Sequence, residues 1–199
     1  WWITLAATAA MTLSYLDRQA LAALAPTITA DLKLTNTQYG WLGSAFSIAY
    51  LLAGPLAARW CDRLGAKRAL LYGVVAWSAC AAAHSLAVGF GSFLAMRLAL
   101  GAVEAPSLPA GAQTVQAVLP PADRARGMAL LFAGMSVGSA LAPPIAIGIG
   151  AWISWRASFD RLALIAIAWI PLWQFVTRRG ALPLPMRGDG TKDFKFEKL

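Results

Sequence analysis

SFLAMRLALGAVEAPSLPAGAQTVQAV, residues 92–118, is an apolar run with two charges inside it, Arg97 and Glu104. It exceeds the roughly 20 residues that an α-helix needs to cross a bilayer. It therefore reads as a membrane-spanning helix that carries a base and an acid. Each such charge costs about 2.5–3.5 kcal/mol at a helix centre. Residues 4–28, TLAATAAMTLSYLDRQALAALAPTI, show the same anomaly with Asp17 and Arg18. These two acids and two bases can neutralise one another. Charges kept at that cost point to an aqueous pathway through a bilayer, and so to transport.

Working outward, four further stretches read as spans: 38–58, 69–88, 127–150 and 159–176. The breaks are polar, charged or rich in Gly and Pro, at 31–37, 62–68, 89–92, 120–126 and 154–158. The chain of 199 residues is 59% hydrophobic and 13% charged, too apolar for a soluble domain of this size. The expected class is an all-α membrane protein with six transmembrane helices over residues 1–180. The runs are too long, and alternate too little, for a transmembrane β-barrel. The net charge of +8 does not indicate a nucleic-acid partner, because the basic residues lie at helix ends and not along one face. Cys61 and Cys80 fall in different parts of the helical pattern. No disulfide, metal site or cofactor is expected.

Charge also sets an orientation. Arg59, Arg63, Lys67, Arg68, Arg124, Arg126, Arg178 and Arg179 follow the even-numbered spans, against Lys33, Arg156 and Arg161 on the other side. By the positive-inside rule the richer side is cytoplasmic, which puts both termini inside a plasma (inner) membrane. Trp1, Trp2, Trp60 and Trp173 are expected at the inner interface, and Trp41, Trp152 and Trp155 at the outer one. Trp77 is expected to be packing, and His84 a surface residue. Residues 181–199 alternate Pro, Gly and charge and read as a disordered cytoplasmic tail or linker.

Helical rise places Asp17, Arg18, Tyr50, Arg97 and Glu104 at similar depths. A carboxylate in a poorly hydrated cavity favours its protonated form, and a nearby arginine opposes that. An anionic substrate that occupies the arginine weakens the opposition, so proton and anion occupancy become coupled. Asp17 and Glu104 are the expected proton carriers. Arg18 or Arg97 is the expected anion attractor, since arginine stays charged and grips a carboxylate with two parallel bonds. The plainer alternative is two static ion pairs, Asp17 with Arg18 and Arg97 with Glu104. The Gly134, Gly138, Pro143, Pro144, Gly148 series reads as close helix packing and bending. Gln113 and Gln116 either line an inner vestibule or hydrogen-bond a neighbour.

The turn Asp62-Arg63-Leu64-Gly65-Ala66-Lys67-Arg68 resembles the signature loop of the major facilitator superfamily, with Ala58 where that signature opens on glycine. The resemblance implies a cytoplasmic gate motif of Asp62, Arg63, Gly65 and Arg68. Four stretches are similar to the anion:cation symporter family, which carries sugar acids and other organic anions. They are Tyr15-Leu16-Asp17-Arg18, then Gly40-Trp41 through Phe46 to Tyr50. They continue with Arg97 through Gly101 to Glu104-Ala105-Pro106 and Pro109, and end with Trp155-Arg156 before Phe159. The resemblance implies that Asp17 and Glu104 couple protons, that Arg18 and Arg97 tune them, and that Tyr50 meets substrate. Met135 stands where some sugar-acid carriers have a polar contact, which fits a simpler or aromatic carboxylate.

That family has twelve spans in two halves, each built from inverted three-helix repeats around a site at mid-membrane. This chain matches the amino-terminal half, with 181–199 as the start of the central loop. It opens at Trp1 without methionine, which favours a fragment of a longer product over a half that pairs with another chain. The expected function is proton-coupled symport of a small organic anion. The expected partners are the lipid bilayer, that anion, protons and the missing carboxy-terminal half. The alternatives are an efflux or exchange carrier of the same superfamily, or a non-transporting sensor half. An enzyme is not expected, because no nucleophile stands beside a base.

Overall fold

The computed structural model describes residues 1–178 and Leu182. The tail read over 181–199, like Arg179, lies outside the described residues apart from Leu182. The described chain is helical from end to end. α1 runs Trp2–Ala23, α2 Ala25–Asp31, α3 Asn36–Leu64 and α4 Ala66–Ala83. A short 3-10 turn, His84–Leu86, leads to α5 Phe90–Glu104, α6 Ser107–Val118, α7 Pro121–Trp152 and α8 Trp155–Val176.

Among the described residues, α3, α4 with its 3-10 turn, α7 and α8 are long and apolar enough to cross a membrane. They coincide with predicted spans two, three, five and six. Predicted spans one and four are the two that carry the buried charges, and there the helix is interrupted. α1 gives way to α2 at Leu24, where Pro26 occupies the first turn of the new helix. α5 gives way to α6 at Ala105-Pro106. Pro106 and Pro109 have no N–H to return to the carbonyls four residues earlier.

The turns are tighter than the sequence suggested. Gly65 alone separates α3 from α4, so Asp62, Arg63, Lys67 and Arg68 are helical. Gly65 has φ 75°. That left-handed conformation suits glycine, and a side chain there costs about 1–3 kcal/mol. Gly65→Ala is therefore expected to lower the thermal midpoint of the purified chain by several degrees, read by intrinsic tryptophan fluorescence. At α8, the Ser154 hydroxyl accepts from Ala157 N at 3.1 Å, so this helix starts at Trp155 and not at 159.

α1 packs chiefly on α7, α3 on α5, and α4 on α8. Glycines let α1 and α7 approach closely. A Cβ on Gly134 would sit 2.7 Å from Thr8 Cγ2, and one on Gly138 would run into the Thr12 carbonyl oxygen. The packing reading of those two glycines holds. Gly148 is different, because a Cβ there would meet nothing within 4 Å. Met135 is buried in the same core as Met11.

Two apolar cores follow one another along the bundle. One gathers Met11, Phe46, Leu70, Trp77, Leu100 and Trp173. The other gathers Leu21, Ile28, Leu42, Phe93, Phe159 and Leu162. Trp77 is packing, as expected. Trp155 and Trp173, near the two ends of α8, are buried against neighbouring helices. The Trp173 indole donates to the Lys67 carbonyl at 3.0 Å, and Lys67 Nζ donates to the Thr177 carbonyl at 2.9 Å. His84 is fully buried, against the expectation of a surface residue. Its Nδ1 donates to the Cys80 carbonyl at 2.7 Å. The ring centroid lies 5.0 Å from that of Phe93 and 5.2 Å from that of Phe159. Burial in an aromatic pocket outweighs the polarity of a neutral imidazole whose donor is satisfied.

The end opposite Gly65 is tied by one acid. Asp31 Oδ2 accepts from Trp155 Nε1 at 3.0 Å and from Arg156 Nη1 at 2.6 Å. Arg156 Nη2 donates to the Ala87 carbonyl at 3.1 Å. The hydrogen bonds from Arg156 and Trp155 hold the Asp31 carboxyl below the ordinary 3.8. Its contribution to stability is therefore present at neutral pH and lost as pH falls through the lowered folded-state value. Asp31→Asn is expected to lower the thermal midpoint at pH 7. Midpoints measured against pH should show the wild-type advantage vanishing below pH 3.8.

Candidate functional site

The ionisable cluster occupies the seam between the two cores. On α1, Ala10 and Met11 belong to one core and Leu16 and Leu21 to the other, with Ser14, Asp17 and Arg18 at the junction. Ser14, Asp17 and Arg18 are spaced i, i+3 and i+4, so they share one face of the helix. Phe46 and Tyr50 are one turn apart on α3, and Arg97 and Glu104 nearly two turns apart on α5. Gly101, between those last two, lets α5 touch α3. A Cβ there would collide with the Phe46 carbonyl oxygen and lie 3.1 Å from Ala49 Cβ.

Arg18 crosses from α1 to α5 and pairs with Glu104, Nη2 to Oε2 at 3.3 Å. Ser14 donates its hydroxyl to Glu104 Oε1. Neither within-helix static pair forms: the structure joins Arg18 to Glu104 and leaves Asp17 and Arg97 without ion partners among the described residues. Side chains at i and i+1 do not face each other, so Asp17 and Arg18 form no pair although both lie toward the same side of α1. A seven-residue interval sets Arg97 and Glu104 about 10 Å apart along the axis. The pair is asymmetric. The Arg18 side chain is 20% exposed and that of Glu104 is 1%.

Three rings surround the Arg18 guanidinium, with centroids at 4.5 Å for Tyr15, 4.7 Å for Phe46 and 4.9 Å for Tyr50. Arg97 lies 4.6 Å from the same Phe46 ring and donates from Nε to the Leu42 carbonyl at 3.2 Å. Each such cation–π contact contributes about 0.5–2 kcal/mol, more where water is excluded. Asp17 is buried, and its Oδ2 has no hydrogen-bond partner among the described residues. The five residues singled out in the sequence, Asp17, Arg18, Tyr50, Arg97 and Glu104, thus share one seam. The sequence reading missed Ser14 as a Glu104 donor and Phe46 as the ring that serves both arginines. The i, i+4 spacing of Ser14 to Arg18, and of Phe46 to Tyr50, carried that signal.

The signature residues lie at the far end of the bundle from Asp31. Asp62 Oδ1 accepts from Gln113 Nε2 at 2.6 Å, which joins α3 to α6 and supplies the neighbour that the sequence reading offered Gln113. Gly65 makes the turn, and Arg63 and Arg68 are exposed without ion pairs among the described residues. Cys61 is buried, with Sγ 3.6 Å from the Pro106 carbonyl.

A family profile described as Major Facilitator Superfamily matches residues 7–195. The hexuronate transporter of Bacillus subtilis (strain 168) is 37% identical over 161 residues, covering 81% of this chain and 38% of that protein. The hexuronate transporter of Escherichia coli (strain K12) is 30% identical over 173 residues, covering 87% and 40%. A bacterial homolog of the human lysosomal transporter Spinster, solved inward-facing and unoccupied, superposes with a TM-score of 0.79 at 25% identity. That match covers 98% of this chain and 46% of the homolog. The chain thus spans about two fifths of the length of the two hexuronate transporters. The matched family and these relatives are transporters and not enzymes.

Proposed function

We propose that this chain, which belongs to the major facilitator superfamily, forms the amino-terminal half of a proton-coupled symporter for a small organic anion. Hexuronates are the first candidates, by likeness to the hexuronate transporters. The half has six crossings: α1 with α2, α3, α4, α5 with α6, α7, and α8. The interrupted first and fourth crossings suit a site at mid-membrane, where irregular backbone borders a cavity. The helix pairing supports a 3+3 inverted repeat. Exchanging crossings one, two and three with four, five and six turns the α1–α7 contact into the α5–α3 contact and returns α4–α8 to itself.

One observation carries the mechanism: the asymmetric pair of Arg18 and Glu104. Arg18 is the more exposed member, so an incoming carboxylate competes with Glu104 for it. When the anion takes Arg18, Glu104 is left buried without its cation. An ionised carboxylate in that state is costly, and a proton removes the cost. Anion binding on Arg18 and proton binding on Glu104 therefore assist each other. Asp17, buried without a cation, is a second proton site, and its proton reaches the coupling step only through Glu104. Arg97, fixed to the Leu42 carbonyl, is a standing positive charge that tunes both acids. Tyr50, against Arg18, is placed to meet the anion. Asp62, Arg63, Gly65 and Arg68 form the cytoplasmic gate against the carboxy-terminal half, with the basic end inside and the membrane the plasma (inner) membrane.

Uptake by liposomes containing the whole carrier tests this reading, with a panel of glucuronate, galacturonate, galactonate and simple carboxylates. Accumulation that follows an imposed proton gradient supports it. Exchange of internal for external anion without any response to the gradient would assign the carrier to the antiporters instead.

A further inference from the structure

Of Gly134, Gly138 and Gly148 on α7, Gly148 is the one whose small size serves no contact, since a Cβ there would meet nothing within 4 Å. It opens instead onto a groove of about 610 Å³ between α7 and α8. Ile149, Trp152, Leu164 and Ile165 line the groove with Gly148, and Arg161 is its one charged residue. That volume falls within the roughly 300–1,000 Å³ typical of small-ligand sites. Arg161 makes no ion pair among the described residues. Its neighbour Asp160 points about 100° away around the helix.

We infer that this groove binds a phospholipid, with one acyl chain along Gly148, Ile149 and Ile165 and the phosphate on Arg161. Three features select this occupant. The walls are apolar, as an acyl chain requires. The cation is an arginine, whose planar donors match a phosphate with two parallel bonds. Its position suits a headgroup: Arg161 is six residues into α8, about 9 Å from the helix start, within reach of the interface for a long side chain. Trp152, 90% exposed beside it, is the kind of residue that settles at headgroup level. An unpaired arginine facing acyl chains is unfavourable, and a lipid phosphate supplies its counter-charge.

The site is independent of the proton mechanism and is tested without a transport assay. Membrane vesicles containing the whole carrier are fused with liposomes carrying phosphatidylglycerol with a diazirine in one acyl chain. A parallel sample receives diacylglycerol with the same diazirine chain and no phosphate. After illumination, peptide mass spectrometry locates the adducts. Phosphatidylglycerol is expected to label residues 148–168 at least fivefold more than diacylglycerol does, and more than it labels the exposed α4 face at Tyr72 and Val75. Arg161→Gln should erase the difference between the two lipids, and Arg161→Lys should keep most of it. Gly148→Leu, or Ile165→Trp from the opposite wall, should cut labelling by both lipids severalfold. Equal labelling of all lipid-facing helices would overturn the site. So would labelling that neither filling substitution changes.

Discussion

Glu104→Gln is expected to abolish accumulation of the anion against its gradient while leaving exchange of the anion across the membrane intact. Gln is nearly isosteric, so its amide oxygen still accepts the Ser14 hydroxyl that Glu104 accepts now. What disappears is the negative charge that holds Arg18 at 3.3 Å. Arg18 keeps its three rings and stays in place. It is then open to substrate at every pH, so binding should be as tight as in the wild type or tighter, and less dependent on pH. Each unit of pH difference is worth about 1.4 kcal/mol per coupled proton, a tenfold accumulation. Across a gradient of two units the wild type should therefore reach up to about a hundredfold per coupled proton, and the variant should stop near unity. Asp17→Asn should be milder, because Asp17 holds no cation among the described residues and its loss frees none. A Glu104→Gln carrier that still accumulates anion in proportion to the gradient would remove Glu104 from the coupling.

Gly138→Leu is expected to prevent folding of the half. The substituted Cβ would run into the Thr12 carbonyl oxygen, and Thr12 Cα and C lie within 3.1 Å of it. Those atoms are backbone, so no rotamer change relieves the clash, and α1 must move off α7. Overpacking typically costs about 1–3 kcal/mol, and a collision of backbone with a whole isobutyl group belongs at or above the top of that range. The cost spreads to the site, because α1 carries Ser14, Asp17 and Arg18. Gly134→Ala should be intermediate, since Thr8 lies 2.7–2.8 Å away but part of the contact is its side chain. Gly148→Ala should be close to neutral. Size-exclusion profiles and thermal midpoints of the detergent-solubilised variants should rank in that order. A monodisperse Gly138→Leu chain with an unchanged midpoint would show that this helix crossing is not as close as described.

The residues of the site were legible because the membrane makes charge conspicuous. Asp17 and Glu104 stand out against apolar runs whatever their neighbours. Their pairing was not legible, since it depends on how α1 crosses α5, and sequence spacing speaks only of contacts within one helix. Hence the static alternatives were Asp17 with Arg18 and Arg97 with Glu104, each within one helix, while the fold joins Arg18 to Glu104. The contact of Phe46 with both arginines was not legible, because an aromatic residue in an apolar helix carries no contrast. His84 was misjudged from its polarity, although Leu70, Val74, Trp77, Ala81 and His84 form one buried stripe that runs from α4 into the 3-10 turn at helical spacing. The turns were drawn too wide, because charged residues such as Asp62 and Arg68 end an apolar run without ending the helix.

Internal pH gives the most direct reading of the coupled site. The whole carrier is reconstituted into liposomes holding a pH-sensitive dye, with no imposed gradient, and a hexuronate is added outside. Proton-coupled entry predicts that the lumen acidifies in step with hexuronate uptake, and that Glu104→Gln takes up no protons. Hexuronate entry with a flat internal pH in the wild type would contradict the account.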